Sequence, residues 1–133
     1  MDYETTVLPD GRYVRDLQVG DLVECVDVLT DDRYMFPLQF MAIGYEDCYK
    51  VITRHGEVIQ SVSTPMNMRD GSISRTPELD GKELLTHAHG WEVATILYLG
   101  QRKVCKPDFG NRMFFAGTSA SCTIATHNVI MKP

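Results

Sequence analysis

What most constrains this chain is its punctuation. Gly, Pro, Asn and Asp interrupt it about every ten residues, and the segments between them are rich in Val, Ile, Thr, Tyr and Phe. Helix-period patterns are nearly absent, so the sequence predicts an all-β domain of short strands and tight turns. A first hairpin is expected over 5–14, turning at Pro9-Asp10-Gly11, followed by a second turn over 16–21 and a strand over 22–29. After a polar corner at 30–33, strands are expected over 38–45 and in a hairpin that joins 49–53 to 57–61 through Arg54-His55-Gly56. The stretch 66–85 reads as loop-rich, with turns at Arg69-Asp70-Gly71 and Leu79-Asp80-Gly81. Further strands are expected over 91–99, 103–105, 112–116 and 122–126.

Length and charge narrow the function classes. With 133 residues, 44% of them hydrophobic, the chain fits one domain with one core and excludes two large ones. Thirteen Lys and Arg against 18 Asp and Glu give a net charge of −5, so no chain-wide basic field exists to hold a phosphate backbone, and nucleic acid is not an expected partner. No apolar run approaches the roughly 18 residues of a membrane span, and Met1-Asp2-Tyr3-Glu4 is acidic where a secretory signal would be basic. A soluble, cytoplasmic protein with no membrane partner is therefore expected. The four cysteines, Cys25, Cys48, Cys105 and Cys122, lack the paired spacing of a zinc site, and contexts such as Val-Glu-Cys-Val read as strand interiors; neither a disulfide framework nor a metal is expected.

The chemically informative stretch is the tail, Ile124-Ala125-Thr126-His127-Asn128-Val129. An asparagine amide nitrogen can attack its own backbone carbonyl, closing a succinimide and expelling the next residue's amine, provided the geometry is held and the leaving nitrogen receives a proton. A histidine immediately before it is a natural donor. On its own a His-Asn pair also fits an ordinary solvated turn.

Taken in order, Asp10-Gly11-Arg12, the phrase Asp16-Leu17-Gln18-Val19-Gly20-Asp21-Leu22-Val23, the strand and turn over 56–65, Phe114-Phe115-Ala116-Gly117 and the terminal Thr126-His127-Asn128 resemble the intein family. Its Hint fold is shared with hedgehog autoprocessing domains and bacterial intein-like domains. The resemblance runs from about Thr5 to Asn128, and the length suits a minimal member without a homing endonuclease. It implies a compact, horseshoe-like all-β domain over 1–128 with its two ends close together, and 129–133 as a flank. It further implies a single-event catalyst whose partner is its own flanking polypeptide in cis, bacterial or phage-encoded, monomeric and needing no cofactor. By position, Asn128 would cyclise, His127 would assist, and Thr126 would hydrogen-bond in the site.

Departures from the family pattern set the alternatives. The chain opens Met1-Asp2-Tyr3 where the main class begins with Cys or Ser; Thr64 stands where a histidine usually polarises the upstream peptide bond; and Val129 offers no nucleophile after the cyclising asparagine. A hydroxyl such as that of Thr64 can donate a hydrogen bond but cannot act as an acid near neutral pH. One intein subclass uses an internal cysteine on a late strand in place of the first residue, and Lys103-Val104-Cys105 with Thr126 resembles two parts of that arrangement, although Met66 and Asn67 follow Pro65 where that subclass has tryptophan. Cys105 is thus a candidate first nucleophile, its other reading being a small buried hydrophobe; Cys122 is a weaker candidate. His87-Ala88-His89 could present two imidazoles on one side of an extended segment, Trp91 reads as a core or rim anchor, Asp108 as a turn acid or a stand-in for the family's late aspartate, and Arg112 occupies the place of a histidine but stays charged. Two functions remain open: self-splicing or self-cleavage, and a Hint-fold structural or interaction module without chemistry.

Overall fold

A computed structural model describes residues 1–127; Asn128 and the expected flank 129–133 lie outside the described residues. Eleven strands and two single-turn 3-10 segments, Val14–Asp16 and Thr76–Glu78, make up the described chain, with no α-helix among the described residues. Strands β1 (Leu22–Asp27), β2 (Asp32–Pro37), β7 (Glu83–Thr86), β8 (Gly90–Val93), β10 (Met113–Ala116) and β11 (Ile124–Thr126) form a six-stranded sheet in the order β2-β1-β10-β11-β7-β8. A three-stranded sheet runs β4 (Glu57–Ser61), β3 (Phe40–Ile52), β9 (Thr95–Asp108), and β5 (Pro65–Asn67) pairs with β6 (Ile73–Arg75). No helix is long and apolar enough to cross a membrane among the described residues.

The strand β10 shows why this sequence packs as it does. All four of its residues are buried. Successive side chains on a strand point to opposite faces, so Met113 and Phe115 enter one cluster with Val26, Val51, Val58, Leu84, Leu85 and Ile124, while Phe114 and Ala116 enter another with Val23, Cys25, Leu38, Cys105 and Phe109. A strand covered on both faces must be apolar throughout, which Met-Phe-Phe-Ala supplies.

Several expectations are revised. The polar corner at 30–33 runs directly into β2, whose Asp32↔Asp27 to Pro37↔Leu22 pairing with β1 places an edge strand that begins inside the expected corner and continues through Tyr34-Met35-Phe36. The expected strands 38–45 and 49–53 are one strand, β3. Those over 91–99 and 103–105 are redivided at Ala94 into β8 and the 14-residue β9. Gly44 and Gly100 do not end these strands. At Gly100, with φ +89, the register slips opposite Cys48/Tyr49, so the left-handed residue makes a bulge that bends the long ribbon while pairing continues. The stretch 66–85 holds β5, β6 and part of β7, too short to show a period.

Two glycines are fixed by close approach. A Cβ on Gly117 would lie 2.7 Å from the Cys122 carbonyl oxygen and 2.8 Å from that of Glu57, and one on Gly56 would lie 2.5 Å from Ile124 Cγ1. Gly117 N–H donates to Val7 O and Val7 N–H to Gly117 O, so the first hairpin, β4 and the segment before β11 meet at that one point.

Candidate functional site

The start of the chain is laced into the fold. Met1 N donates to Cys105 O at 3.2 Å and Cys105 N–H to Met1 O at 2.9 Å, while Tyr3 N–H bonds Lys103 O, which makes 1–3 a short antiparallel partner of β9. Asp2 turns the other way: its N–H donates to Ile59 O of β4 at 2.9 Å. Its carboxylate accepts from Thr5 N–H and Oγ1–H, and Thr6 Oγ1–H caps its carbonyl at 2.6 Å. The Met1 side chain sits in the cluster around Cys105, so apolar burial anchors the chain start beside its hydrogen bonds. Burial lowers the Met1 amine from its ordinary value, because a charge there has lost its water.

Cys105 is fully buried, its Sγ 3.8 Å from the Met1 carbonyl oxygen. Burial raises its thiol, with the nearby Met1 nitrogen opposing. Cys25 is likewise pushed up by burial, to about 11, and belongs wholly to the core. The cysteines are free.

The tail reaches the same strand. Thr126 pairs with Phe114 on β10, and its Oγ1–H donates to Gln60 Oε1 at 2.8 Å. Gln60 Nε2–H donates to Thr76 Oγ1 at 3.0 Å, and Thr76 Oγ1–H to Ser61 O at 2.6 Å. Gln60, Thr76 and Thr126 are all 0% exposed. The head therefore bonds Ile59 and the tail bonds Gln60, adjacent residues of β4.

His127 follows at 5% exposure and lines a depression of about 280 Å³ with Pro65, Asn67, Ile73 and Asn111. Its Nδ1 has no hydrogen-bond partner among the described residues. Burial lowers its imidazole from the ordinary value; the Asn111 backbone and the Asp108 charge pull the other way without cancelling it. Asp108 thus acts on His127 through its charge, while its Oδ1 caps Gly110 N–H at 2.7 Å, as a turn acid does.

Of the residues singled out by sequence, Cys105 sits on β9 against the chain start and Thr126 against β4, His127 stands apart beside β5, β6 and Asn111, and Asn128 is the residue after His127, outside the described residues. Thr64 is buried in the turn between β4 and β5, its N–H bonded to Ser61 O, and no hydrogen bond joins it to Met1, Cys105 or Thr126 among the described residues. Cys122 lies in a separate depression with His55, Glu57 and His89, its Sγ accepting from Ser119 Oγ–H at 3.1 Å. The two imidazoles of His87-Ala88-His89 do not act together: His87 Nε2 bonds Glu24 Oε1 at 2.7 Å with its ring edge-on to Phe115, whereas His89 stacks on His55. Groups of three or more His, Cys, Asp or Glu side chains placed for a metal ion are absent among the described residues. Arg112 covers the Phe36 ring, 3.7 Å from its centroid, and Trp91 packs against the first cluster under Arg69. Gln60 and Asn111 were missed. A glutamine in an alternating strand reads as solvent-facing, and only its 2.8 Å contact with Thr126 identifies it.

No family model matches the chain, and no curated protein does. Solved structures do. A variant of the Ssp DnaB mini-intein superposes with a TM-score of 0.79 at 14% identity, covering 99% of this chain and 96% of that one. The gp41-1 intein gives 0.70 at 24% identity over 96% of each chain. A bacterial intein-like domain from Clostridium thermocellum gives 0.73 at 14% identity, again over 96% of each. The fold is the Hint fold of minimal inteins, and the likeness extends over essentially the whole of both chains.

Proposed function

We propose that this chain is an intein-like autoprocessing domain spanning 1–128 that cuts its own flanking polypeptide in cis. The observation that carries the reading is the meeting of head and tail on β4, where Asp2 N–H bonds Ile59 and Thr126 Oγ1–H bonds its neighbour Gln60. Polar contacts that bury Asp2 and Thr126 on adjacent residues cost desolvation unless every partner is supplied, as it is here.

At the upstream junction, the Cys105 thiolate attacks the carbonyl carbon of the residue preceding Met1. The C–N bond to Met1 breaks, the acyl group becomes a thioester on Cys105, and the Met1 nitrogen takes up a proton. The Cys105 carbonyl, which accepts from Met1 N, orients that bond. Thr64 stands at the place of the usual histidine, and its hydroxyl offers that junction a hydrogen-bond donor at most, not an acid. At the downstream junction, the Asn128 side-chain nitrogen attacks the Asn128 carbonyl carbon and gives up a proton to solvent, the C–N bond to Val129 breaks as the succinimide closes, and His127 delivers a proton to the departing Val129 nitrogen. Thr126 holds the strand that presents the pair. Because Val129 has no nucleophilic atom to receive the acyl group, the flanks are not joined: succinimide closure releases 129–133, and water or added thiol then cleaves the Cys105 thioester to release the upstream flank.

Intact-mass measurement on a fusion with reporter proteins at both ends tests this, with and without added thiol. Scission after Asn128 that disappears in Asn128→Ala, together with thiol-dependent upstream cleavage that disappears in Cys105→Ala, is expected. The second reading, a Hint-fold module without chemistry, is favoured by the absence of any bond from Thr64 to Met1 among the described residues and by the full burial of Cys105. Both junctions staying intact through prolonged incubation would establish it.

A further inference from the structure

Nothing in the expected chemistry requires the Gln60–Thr76 pair, yet it forms a continuous chain of buried polar contacts. Gln60 uses both ends of its amide, accepting from Thr126 Oγ1–H and donating to Thr76 Oγ1. Thr76 passes its own proton to the Ser61 carbonyl. The chain of three bonds joins β11 of the six-stranded sheet to β4 of the three-stranded sheet and to the 3-10 turn that follows β6. Every member is inaccessible to water, so a lost partner could not be replaced by solvent.

Its position matters. β11 is only three residues long, and one pair, Ile124↔Thr86, holds it to β7. Its C-terminal residue, from which His127 continues, has only Phe114 as a ladder partner. A strand end held on one side frays. The Thr126 hydroxyl is what ties that end to the strand opposite.

We infer that Gln60 is a positioning residue for the downstream cut: through the Thr126 hydroxyl it fixes where the 126–127 segment leaves the sheet, and so where the His127 ring stands. The chemical consequence rests on the autoprocessing reading above; the anchoring does not. Gln60 touches no reacting atom and acts only through Thr126.

The test compares wild type, Gln60→Leu, Gln60→Glu, Thr126→Val and the Gln60→Leu/Thr126→Val double variant as dual-reporter fusions, and as the same five chains with Asn128→Ala for amide hydrogen exchange by NMR. Gln60→Leu is expected to raise exchange at Thr126 and His127 about tenfold or more while Leu84 and Leu85 keep their protection. It should slow scission after Asn128 by about tenfold, the worth of one buried hydrogen bond, with thiol-dependent upstream cleavage unchanged. The double variant is expected to be no slower than the slower single one, because the two changes break the same bond.

Gln60→Glu keeps the side-chain volume. Its protonated acid can make both of glutamine's bonds, whereas the carboxylate cannot donate to Thr76, so its scission rate relative to wild type is expected to fall as pH rises. Unchanged exchange at 126–127 in Gln60→Leu, strictly multiplicative losses in the double variant, or a pH-independent ratio for Gln60→Glu would each overturn the inference. If wild type makes no cut but the exchange result is as expected, the autoprocessing reading fails and the positioning of the segment by Gln60 stands.

Discussion

The crowding at Gly117 permits a stability prediction with an internal control. Adding one methyl group there brings Cβ to 2.7 Å from Cys122 O, 2.8 Å from Glu57 O and 3.0 Å from Thr123 Cα, all backbone atoms that cannot rotate aside. Ordinary contact begins near 3.4 Å, so the carbonyls must retreat by 3.4 − 2.7 = 0.7 Å and 3.4 − 2.8 = 0.6 Å. Those oxygens accept the Glu57 N–H and Thr118 N–H bonds, each 2.9 Å long. A retreat of that size would stretch both bonds to the limit of a hydrogen bond. Two weakened bonds at about 1 kcal/mol each, plus an overpacking cost of about 1–2 kcal/mol, give about 3–4 kcal/mol for Gly117→Ala. For a chain of this size, that lowers the melting temperature by roughly 10–15 °C. Gly44 supplies the control: its Cβ would meet only Lys106 Cε and Nζ at 3.8 Å. Gly44→Ala is therefore expected to be neutral or to stabilise by up to about 1 kcal/mol, since alanine restricts the unfolded chain. Urea unfolding of both variants in an Asn128→Ala background, which removes the downstream cut, without added thiol reads the difference. A Gly117→Ala variant within about 0.5 kcal/mol of its parent would show that the junction is plastic and the reasoning wrong.

The two proposed cuts should respond to pH in opposite senses: the raised Cys105 thiol makes upstream cleavage accelerate as pH rises toward the thiol's titration, while the lowered His127 imidazole must gain a proton to serve the leaving nitrogen, so downstream scission accelerates as pH falls below the ordinary imidazole range. Rate profiles of the two mass losses from one fusion check this, and parallel profiles would contradict it. His127 also carries a stability prediction. Its folded value lies below the ordinary 6.5, so between the two values the unfolded chain binds more protons and stability rises with pH, levelling off above about 6.5. Urea midpoints measured at about pH 5 and about pH 7.5 should differ more for the parent than for His127→Gln, whose side chain does not titrate.

Strands covered on both faces declared themselves in the sequence, as Met113–Ala116 did, because an unbroken apolar run placed in a turn or on a surface would leave its area in water. The edge strand β2 did not, since Asp32 and Arg33 face solvent and a solvated strand shares its composition with a turn. Gly100 looks like a strand end when only local preference is considered, and the expected strand 91–99 stops before it. Thirteen cross-strand pairs between β3 and β9 outweigh that preference, and one bulge absorbs the mismatch. Thr126 and His127 were singled out because their chemistry and order are unusual together. Gln60 was not, because its partners lie 16 and 66 residues away in sequence and no local pattern announces them.

The antiparallel ladders have an architectural consequence for a chain severed at the exposed Asp70-Gly71 turn. The first piece would keep β1 and β3 but lose β10 and β9, against which they are zipped; the second would keep β11 without the Gln60 that moors it. Neither piece could satisfy its own interior, so each is the other's missing half, and the break would leave two fragments whose only route to a folded state is mutual recognition.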